Sequence, residues 1–390
     1  HIDHQKCNRS YACVRSCPVK AITIAGENAV PVVNHNRCIG CGSCVSVCGS
    51  DAVSYRSAVD DTMAILASGD KVAAIVDPTI SGEFPDITDY RKFVDMIRRL
   101  GFHYVNEVSF GVDLVARKYR ELFDNFKGKY YIMANCPSVV SYVEKFHPDL
   151  IDNLAPVVTP MTAMARVVRK AYGKDLKVVF IGPCLSAKHD GTLFQDDGRV
   201  DAVLTFQGLR KMFEKHQITE SKVEYSEFDP PIGNLGSLYP LSEGILHAGG
   251  VSHDLLSGMV ITTDGKENMI EAIYEFSEHT EFIKKHFNIF YDEGCLMGPG
   301  TTDKSLKFLR RTMVVDYANK RLKDFDREAW EKNMERYADI NLNRTFNKDD
   351  QRLPEPDQDQ IEEIMKSLGK SLDQKASCSA CGFRTCRDFA

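Results

Sequence analysis

Cysteine placement constrains this 390-residue chain more than any other feature. Of 13 cysteines, seven lie between Cys7 and Cys48, three between Cys378 and Cys386, and Cys136, Cys184 and Cys295 stand alone in the long middle. The count is odd, and the start, His1 to Lys20, has neither a signal-peptide core nor a transit pattern, so metal or cluster ligation is a better reading than a disulfide framework. The composition, 43% hydrophobic and 27% charged with a formal net charge of -6, is that of a globular chain long enough for two or three domains. It excludes disorder and collagen-like repeats, and its mild acidity offers no basic face to nucleic acid. No apolar run approaches the roughly 18 residues of a membrane span. The expectation is a cytoplasmic protein with neither membrane nor nucleic acid as a partner.

The clearest run is Cys38-Ile39-Gly40-Cys41-Gly42-Ser43-Cys44-Val45-Ser46-Val47-Cys48. Its C-x2-C-x2-C-x3-C spacing, with small residues between thiolates, lets the backbone wrap one cubane face while the fourth cysteine reaches a neighbouring cluster. Zinc knuckles use paired ligands with a longer gap. A second copy, through Cys7, Cys13 and Cys17-Pro18, keeps the spacing except that Ser10 stands where a cysteine is expected. Apolar runs follow each copy, Ala21 to Ile24 and Ala52 to Tyr55. Residues 1–56 thus resemble a two-cluster ferredoxin, a small α+β domain. The resemblance implies that Cys17 completes the Cys38/Cys41/Cys44 cluster and that Cys48 completes the Cys7/Cys13 cluster. A serine alkoxide is a harder, rarer iron ligand than thiolate, so four readings of the first site stay open: serine ligation, a three-iron cluster, a 4Fe-4S cluster with one open iron, or a collapsed, metal-free remnant.

Residues 57–346 alternate strand-like and helix-like segments. Strands are expected at Lys71 to Val76, Tyr104 to Val108, Tyr130 to Ala134, Val178 to Ile181, Ala202 to Thr205, Gly258 to Thr262 and Phe287 to Tyr291. Helices are expected at Tyr90 to Leu100, Val112 to Phe126, Met161 to Ala171, Gln207 to His216 and Glu267 to Phe282. Such alternation implies parallel sheets with helices on both faces, in which ligands sit beyond the strand carboxyl ends. Each lone cysteine lies in a loop after one of these strands: Asn135-Cys136-Pro137, Gly182-Pro183-Cys184, and Asp292-Glu293-Gly294-Cys295. One cysteine alone could be a small buried hydrophobe; three in equivalent places point to one shared site.

At these residues the sequence resembles the iron-only (di-iron) hydrogenase family over essentially its whole length. The supporting segments are Leu100-Gly101-Phe102, Glu107 to Leu114, Pro160 to Met164, Gly182 to Lys188 and Asp292 to Gly300. The resemblance implies a two-lobed α/β domain, preceded by the ferredoxin domain, whose cleft holds a cubane bridged through Cys295 to a di-iron unit carrying CO and cyanide. The Gly-Pro-Cys and Gly-Pro-Gly details are closest to the family's sensory branch. Three places depart from the catalytic pattern. Asn135 stands where a proton-shuttling cysteine is expected, and an amide has no exchangeable proton of useful pKa. Ala187 occupies the place of a cyanide-binding lysine, with Lys188 one residue later. Asp292 takes the place of a further cysteine. Cys136, Cys184 and Cys295 can still hold a cubane, with Asp292 as a carboxylate ligand to its fourth iron; carboxylate is harder than thiolate and leaves that corner more labile. Cys295, Asn135 and Lys188 are the candidate catalytic residues.

The other signals are weaker. His103, His147, His189, His216 and His253 are isolated and read as structural. Glu83, Glu107 and Glu293 are available to a proton path that no spacing rule singles out. Gly298-Pro299-Gly300 reads as a tight turn, and no G-x-G-x-x-G or Walker A pattern suggests a nucleotide. Residues 347–376 read as a Pro-containing acidic linker and a short helix, Ile361 to Leu368. Residues 377–390, with Cys378, Cys381 and Cys386, resemble the start of a further 4Fe-4S domain whose fourth cysteine is expected beyond Ala390, as in a fragment of a longer protein. The expected function is a multi-cluster redox protein, sensory or electron-transferring, with weak or no hydrogen turnover. Its expected partner is an electron carrier or downstream regulatory domain, and a homodimer is compatible with the sequence. The alternatives are an active di-iron hydrogenase, or an enzyme of another class in which a cubane held by three cysteines and one aspartate uses its open iron on another small substrate.

Overall fold

A computed structural model describes the chain except residues 26–28, 253, 303–305, 372–377, 379 and 384. His253 therefore lies outside the described residues. The chain divides into two compact units, His1–Arg56 with Asp349–Ala390, and Ser57–Lys348.

In the smaller unit, β1 (Ile22–Ala25) pairs antiparallel with β2 (Val30–Val33), placing Ile22 opposite Val33. One-turn helices, Ala12–Ser16 and Ser43–Ser46, carry Cys13 and Cys44. The run from Ala52 to Tyr55 is reduced to a single antiparallel bridge between Ile2 and Val53. The segment from Asp349 onward packs within this same unit. Its helix, Gln358–Ser367, starts at a capping box between Asp357 and Gln360. Of the apolar stripe expected on that helix Met365 is buried, while Ile364 and Leu368 are exposed. Near the last cysteines, Gly382 lies at φ +82 so close to the backbone of Arg15 that a Cβ would stand 2.5 Å from its carbonyl oxygen. Lys20 Nζ donates to Gly382 O at 2.8 Å and sits 4.1 Å from the centre of the Phe383 ring.

The larger unit is built on a parallel sheet in the order β4-β3-β5-β6, with β3 Val72–Val76, β4 Tyr104–Glu107, β5 Lys177–Gly182 and β6 Ala202–Thr205. Both faces are covered, which explains why its central strands are continuous apolar runs and not alternating ones. Ala73, Ile75, Val178 and Phe180 pack into one core. Their neighbours Val72, Ala74, Val76, Val179 and Ile181 pack into the other. The first core receives helices Ser109–Asp124 and Pro160–Tyr172; the second receives Tyr90–Arg99 and Phe206–Lys215. Close helix packing demands Gly111, where a Cβ would lie 2.6 Å from Pro160 O. Three further helices, Pro137–Phe146, Lys307–Lys323 and Arg327–Arg336, fall where the sequence reading places none.

A second parallel pair joins β7 (Val260–Asp264) to β8 (His286–Phe290). The strand expected at Tyr130 to Ala134 is shorter: Ile132 alone forms parallel bridges, to Phe287 on one side and Leu154 on the other. The α/β architecture with parallel sheets, preceded by a small ferredoxin-like region, is the one expected from the sequence.

Two buried polar groups hold these layers in place. Asp113 accepts from Asn234 N at 2.6 Å, Gly236 N at 2.7 Å and Trp330 Nε1 at 2.8 Å, tying together three distant segments. Asp113→Ala leaves three donors unpaired and is expected to destabilise the protein by about 2–4 kcal/mol, read by anaerobic denaturant unfolding at unchanged m-value. His286, fully buried, accepts from Tyr131 N–H through Nδ1 at 3.0 Å and stacks on Phe123 and Tyr131. Burial lowers its pKa to about 4 from an ordinary 6.5. The unfolded chain then takes up a proton first as pH falls, so stability is expected to drop between pH 6.5 and 4 and to drop less steeply in His286→Phe.

Candidate central cluster site

The three lone cysteines converge. Cys136, Cys184, Asp292 and Cys295 line one cavity of about 50 Å³. Each arrives on a loop fixed by backbone hydrogen bonds. Met133 N donates to Phe287 O and Phe287 N to Tyr131 O, clamping the segment before Cys136 to β8. Pro137 then opens a helix immediately after the cysteine, as suits a residue with no N–H to offer. Pro183-Cys184 follows β5 and is covered by the third loop: Gly300 N donates to Pro183 O at 2.7 Å, and a Cβ on Gly298 or Gly300 would lie 2.7 Å from that same oxygen. Gly298-Pro299-Gly300 is thus a close approach between two cluster-site loops. The third loop turns at Gly294, φ +60, where a Cβ would stand 2.2 Å from Pro240 O, and Cys295 N donates to that carbonyl at 2.9 Å.

The electrostatics of the cavity favour the protonated forms of its cysteines and of Asp292. Burial, then Cys136 alongside, pushes the Cys184 thiol up to about 12. Cys295 is driven well above the usual thiol range by burial, and next by Asp77, Cys184, Cys136 and Asp292. Burial also raises Cys136, and it raises Asp292 to about 8 with a smaller push from Glu293. A bound cation would displace those protons and supply the charge that burial denies. Among the described residues no three His, Cys, Asp or Glu side chains form a single-ion site. Three thiols and a carboxyl around one cavity are a donor set that fits a cubane.

The other sequence candidates divide between the cavity wall and places outside it. Asn135 lines the cavity and is buried. Lys188 does not line it: its Nζ donates to Val203 O at 2.6 Å, because the one-residue shift on the short helix Ala187–Asp190 turns it toward β6 and leaves Ala187 in the wall. Glu83 pairs with Arg310 at 2.8 Å, Glu107 with Ser109, Tyr317 and Arg321, and Glu293 with Lys307 at 2.6 Å. None of the three glutamates lines the cavity. Asp77, which carries no motif, does line it. Its position directly after β3, at a strand carboxyl end, is the signal that could have found it. Burial raises its pKa to about 6 against the two hydrogen bonds from Thr79.

In the smaller unit, Cys13 is raised by burial, with Cys48 and Cys7 the charges near it. Burial pushes Cys44 up to about 11, with Cys38 and Cys17 next among the causes. Ser10 is exposed, unlike the cysteines around it. Cys378 is exposed, and Cys381 and Cys386 are partly buried.

Residues 70–294 match the family model described as "Iron only hydrogenase large subunit, C-terminal domain". The chain belongs to the iron-only hydrogenase family. Residues 1–49 match a 4Fe-4S dicluster domain. The NADP-reducing hydrogenase subunit HndD of Solidesulfovibrio fructosivorans is 24% identical over 282 residues, 63% of this chain and 48% of that one. Iron hydrogenase 1 of Clostridium pasteurianum is 26% identical over 285 residues, 55% of this chain and 50% of that one. The chain therefore spans about half the length of the curated relatives it matches. A solved FeFe-hydrogenase of Chlamydomonas reinhardtii shares the fold at TM-score 0.58 and 17% identity, covering 76% of this chain and 100% of that structure. This family member is a hydrogenase-fold iron-sulfur redox protein. None of its described helices is long and apolar enough to cross a membrane.

Replacing Cys136, Cys184 or Cys295 singly by Ala is expected to lower anaerobic iron and acid-labile sulfide by about four atoms each per chain, one cubane. The same change at Lys188, whose ammonium is outside the cavity, is expected to leave both unchanged.

Proposed function

We propose that this hydrogenase-family chain is a sensory or electron-transfer module with weak or no hydrogen turnover. Its central cubane is held by Cys136, Cys184, Cys295 and Asp292 and exchanges electrons with ferredoxin-type clusters on Cys7, Cys13, Cys17, Cys38, Cys41, Cys44 and Cys48. The observation that carries this reading is the cavity wall: among the described residues it contains no Lys, Arg or His, and Asn135 and Ala187 occupy it. A cyanide-bearing unit needs a cationic or N–H donor anchor in that wall, and a proton on its way to a metal needs a titratable carrier within hydrogen-bond reach. Asn135 is neither. Its backbone carbonyl accepts from Tyr239 OH at 3.0 Å, which fixes the loop in place without providing a relay at neutral pH.

The chain's own residues then have definite tasks. The three cysteines bind. Met161, Phe180 and Phe290 in the wall keep water from the cluster face, which tunes its potential. Asp292 supplies the exchangeable corner. When bound, the cluster provides a one-electron store whose carboxylate-held iron is more open to exchange than a thiolate-held one. The C-terminal cysteines Cys378, Cys381 and Cys386 supply part of a further cluster site, and the partner is an electron carrier or a downstream regulatory domain.

An anaerobic infrared spectrum of protein produced with hydrogenase assembly factors tests the reading. The expected result is a full cubane iron content with no bands from iron-bound CO or cyanide. Such bands, together with robust viologen reduction under hydrogen, would overturn it.

A further inference from the structure

The central cavity has a charge imbalance that the cysteine set does not resolve. Its wall carries Asp77, Asp190 and Asp292 beside the three cysteines, and no basic side chain among the described residues. Asp190 is neutralised from behind by Arg344 Nη1 at 2.7 Å, and Thr159 Oγ1 donates to its other oxygen at 2.7 Å. Asp77 has no such cation. It is 4% exposed, and the hydrogen bonds it accepts, from Thr79 N at 2.9 Å and Thr79 Oγ1 at 2.6 Å, both fall on Oδ1. Its second oxygen is left to whatever fills the cavity.

Asn135, 2% exposed in the same wall, is oriented by a chain of amides. Asn288 Nδ2 donates to Ser242 O at 2.7 Å, so its Oδ1 faces Asn135, and Asn135 Nδ2 must donate to it, at 3.4 Å. That leaves Asn135 Oδ1 as the unpartnered end. A buried acceptor without a donor costs about 1–3 kcal/mol, and more when it is charged. Asn135 Oδ1 is such an acceptor, and in the same wall the bonds that Asp77 accepts leave its Oδ2 for a ligand. Metal at the cysteines does not remove the need, because three thiolates and a carboxylate already bring more negative charge than an oxidised cubane core offsets.

We propose that Asp77 and Asn135 set the selectivity of the central site: they admit a small N–H donor, cationic before neutral, beside the cluster and exclude anions. This rests on the reading that Cys136, Cys184 and Cys295 hold a cubane. Asp77 supplies the charge and one acceptor. Asn135 supplies the second acceptor, with its orientation imposed by Asn288 and ultimately by Ser242 O.

The probes are 15N-ammonium and azide, added to the cluster-loaded full chain and followed in the paramagnetic resonance spectrum of the reduced central cubane, the signal absent from Cys295→Ala. Ammonium is expected to produce a 15N coupling in the unsubstituted protein, and azide at the same concentration no change. Asp77→Asn keeps the size and removes the charge; it is expected to weaken ammonium by about 10-fold or more and to let azide bind. Asn135→Leu, which leaves the charge in place, is expected to weaken ammonium without admitting azide, and it keeps the test decisive if Asp77→Asn does not accumulate. Azide binding to the unsubstituted protein as tightly as ammonium, or ammonium binding that neither substitution alters, would overturn the proposal. Absence of any Cys295-dependent cubane signal would instead overturn the reading beneath it, and the proposal with it.

Discussion

Three thiols and two carboxyls brought into one cavity repel one another as soon as they ionise, and burial raises the pKa of every one of them. Everything around the cavity keeps that arrangement from relaxing. The loops carrying Cys184 and Cys295 are tied through Pro183 O, which receives Gly300 N and leaves no room for a Cβ at either glycine. The segment before Cys136 is clamped to β8 on one side and to Leu154 on the other. Backbone hydrogen bonds that hold these donors together suit a bound cation, which would turn their mutual repulsion into attraction.

The scaffold delivers this with ordinary means. Parallel strands covered on both faces end at one edge, and their carboxyl-end loops meet where Asp77, Cys184, Cys136 and Asp292 stand. Buried polar staples fix the layers: Asp113 joins three segments, Arg344 with Asp190 closes the back of the cavity, and Glu83 with Arg310 holds the helix after the third loop. Such pairs contribute less net stability than their Coulomb attraction suggests, but each is costly to break from one side. They give the site a single geometry.

The sequence made the central strands legible because they are continuous β-branched runs; Ala202–Thr205 falls where it was expected, to the residue. It made the cysteine loops legible because thiols after strands are rare and chemically specific. What it hid is instructive. The strand before Cys136 shrank to a bridge at Ile132, since its pairing comes from Phe287 and Leu154, far along the chain. The helices Lys307–Lys323 and Arg327–Arg336 bury few side chains and carry little apolar periodicity. Lys188 looked close enough to replace a missing anchor, but on a helix one residue is a rotation of about 100°, and its ammonium reaches Val203 O instead. Asp77 has no motif, and its place directly after β3 is the one hint the sequence offers; its approach to Cys295 comes from the fold.

The central claim is that a carboxylate, Asp292, completes a cubane otherwise held by cysteine. Mössbauer spectra of 57Fe-enriched protein, with and without Asp292→Cys, test it most directly. The account predicts one iron of the central cubane, in unequal proportion to the other three, that becomes equivalent to them when the fourth ligand is thiolate. Four indistinguishable irons in both proteins would contradict it.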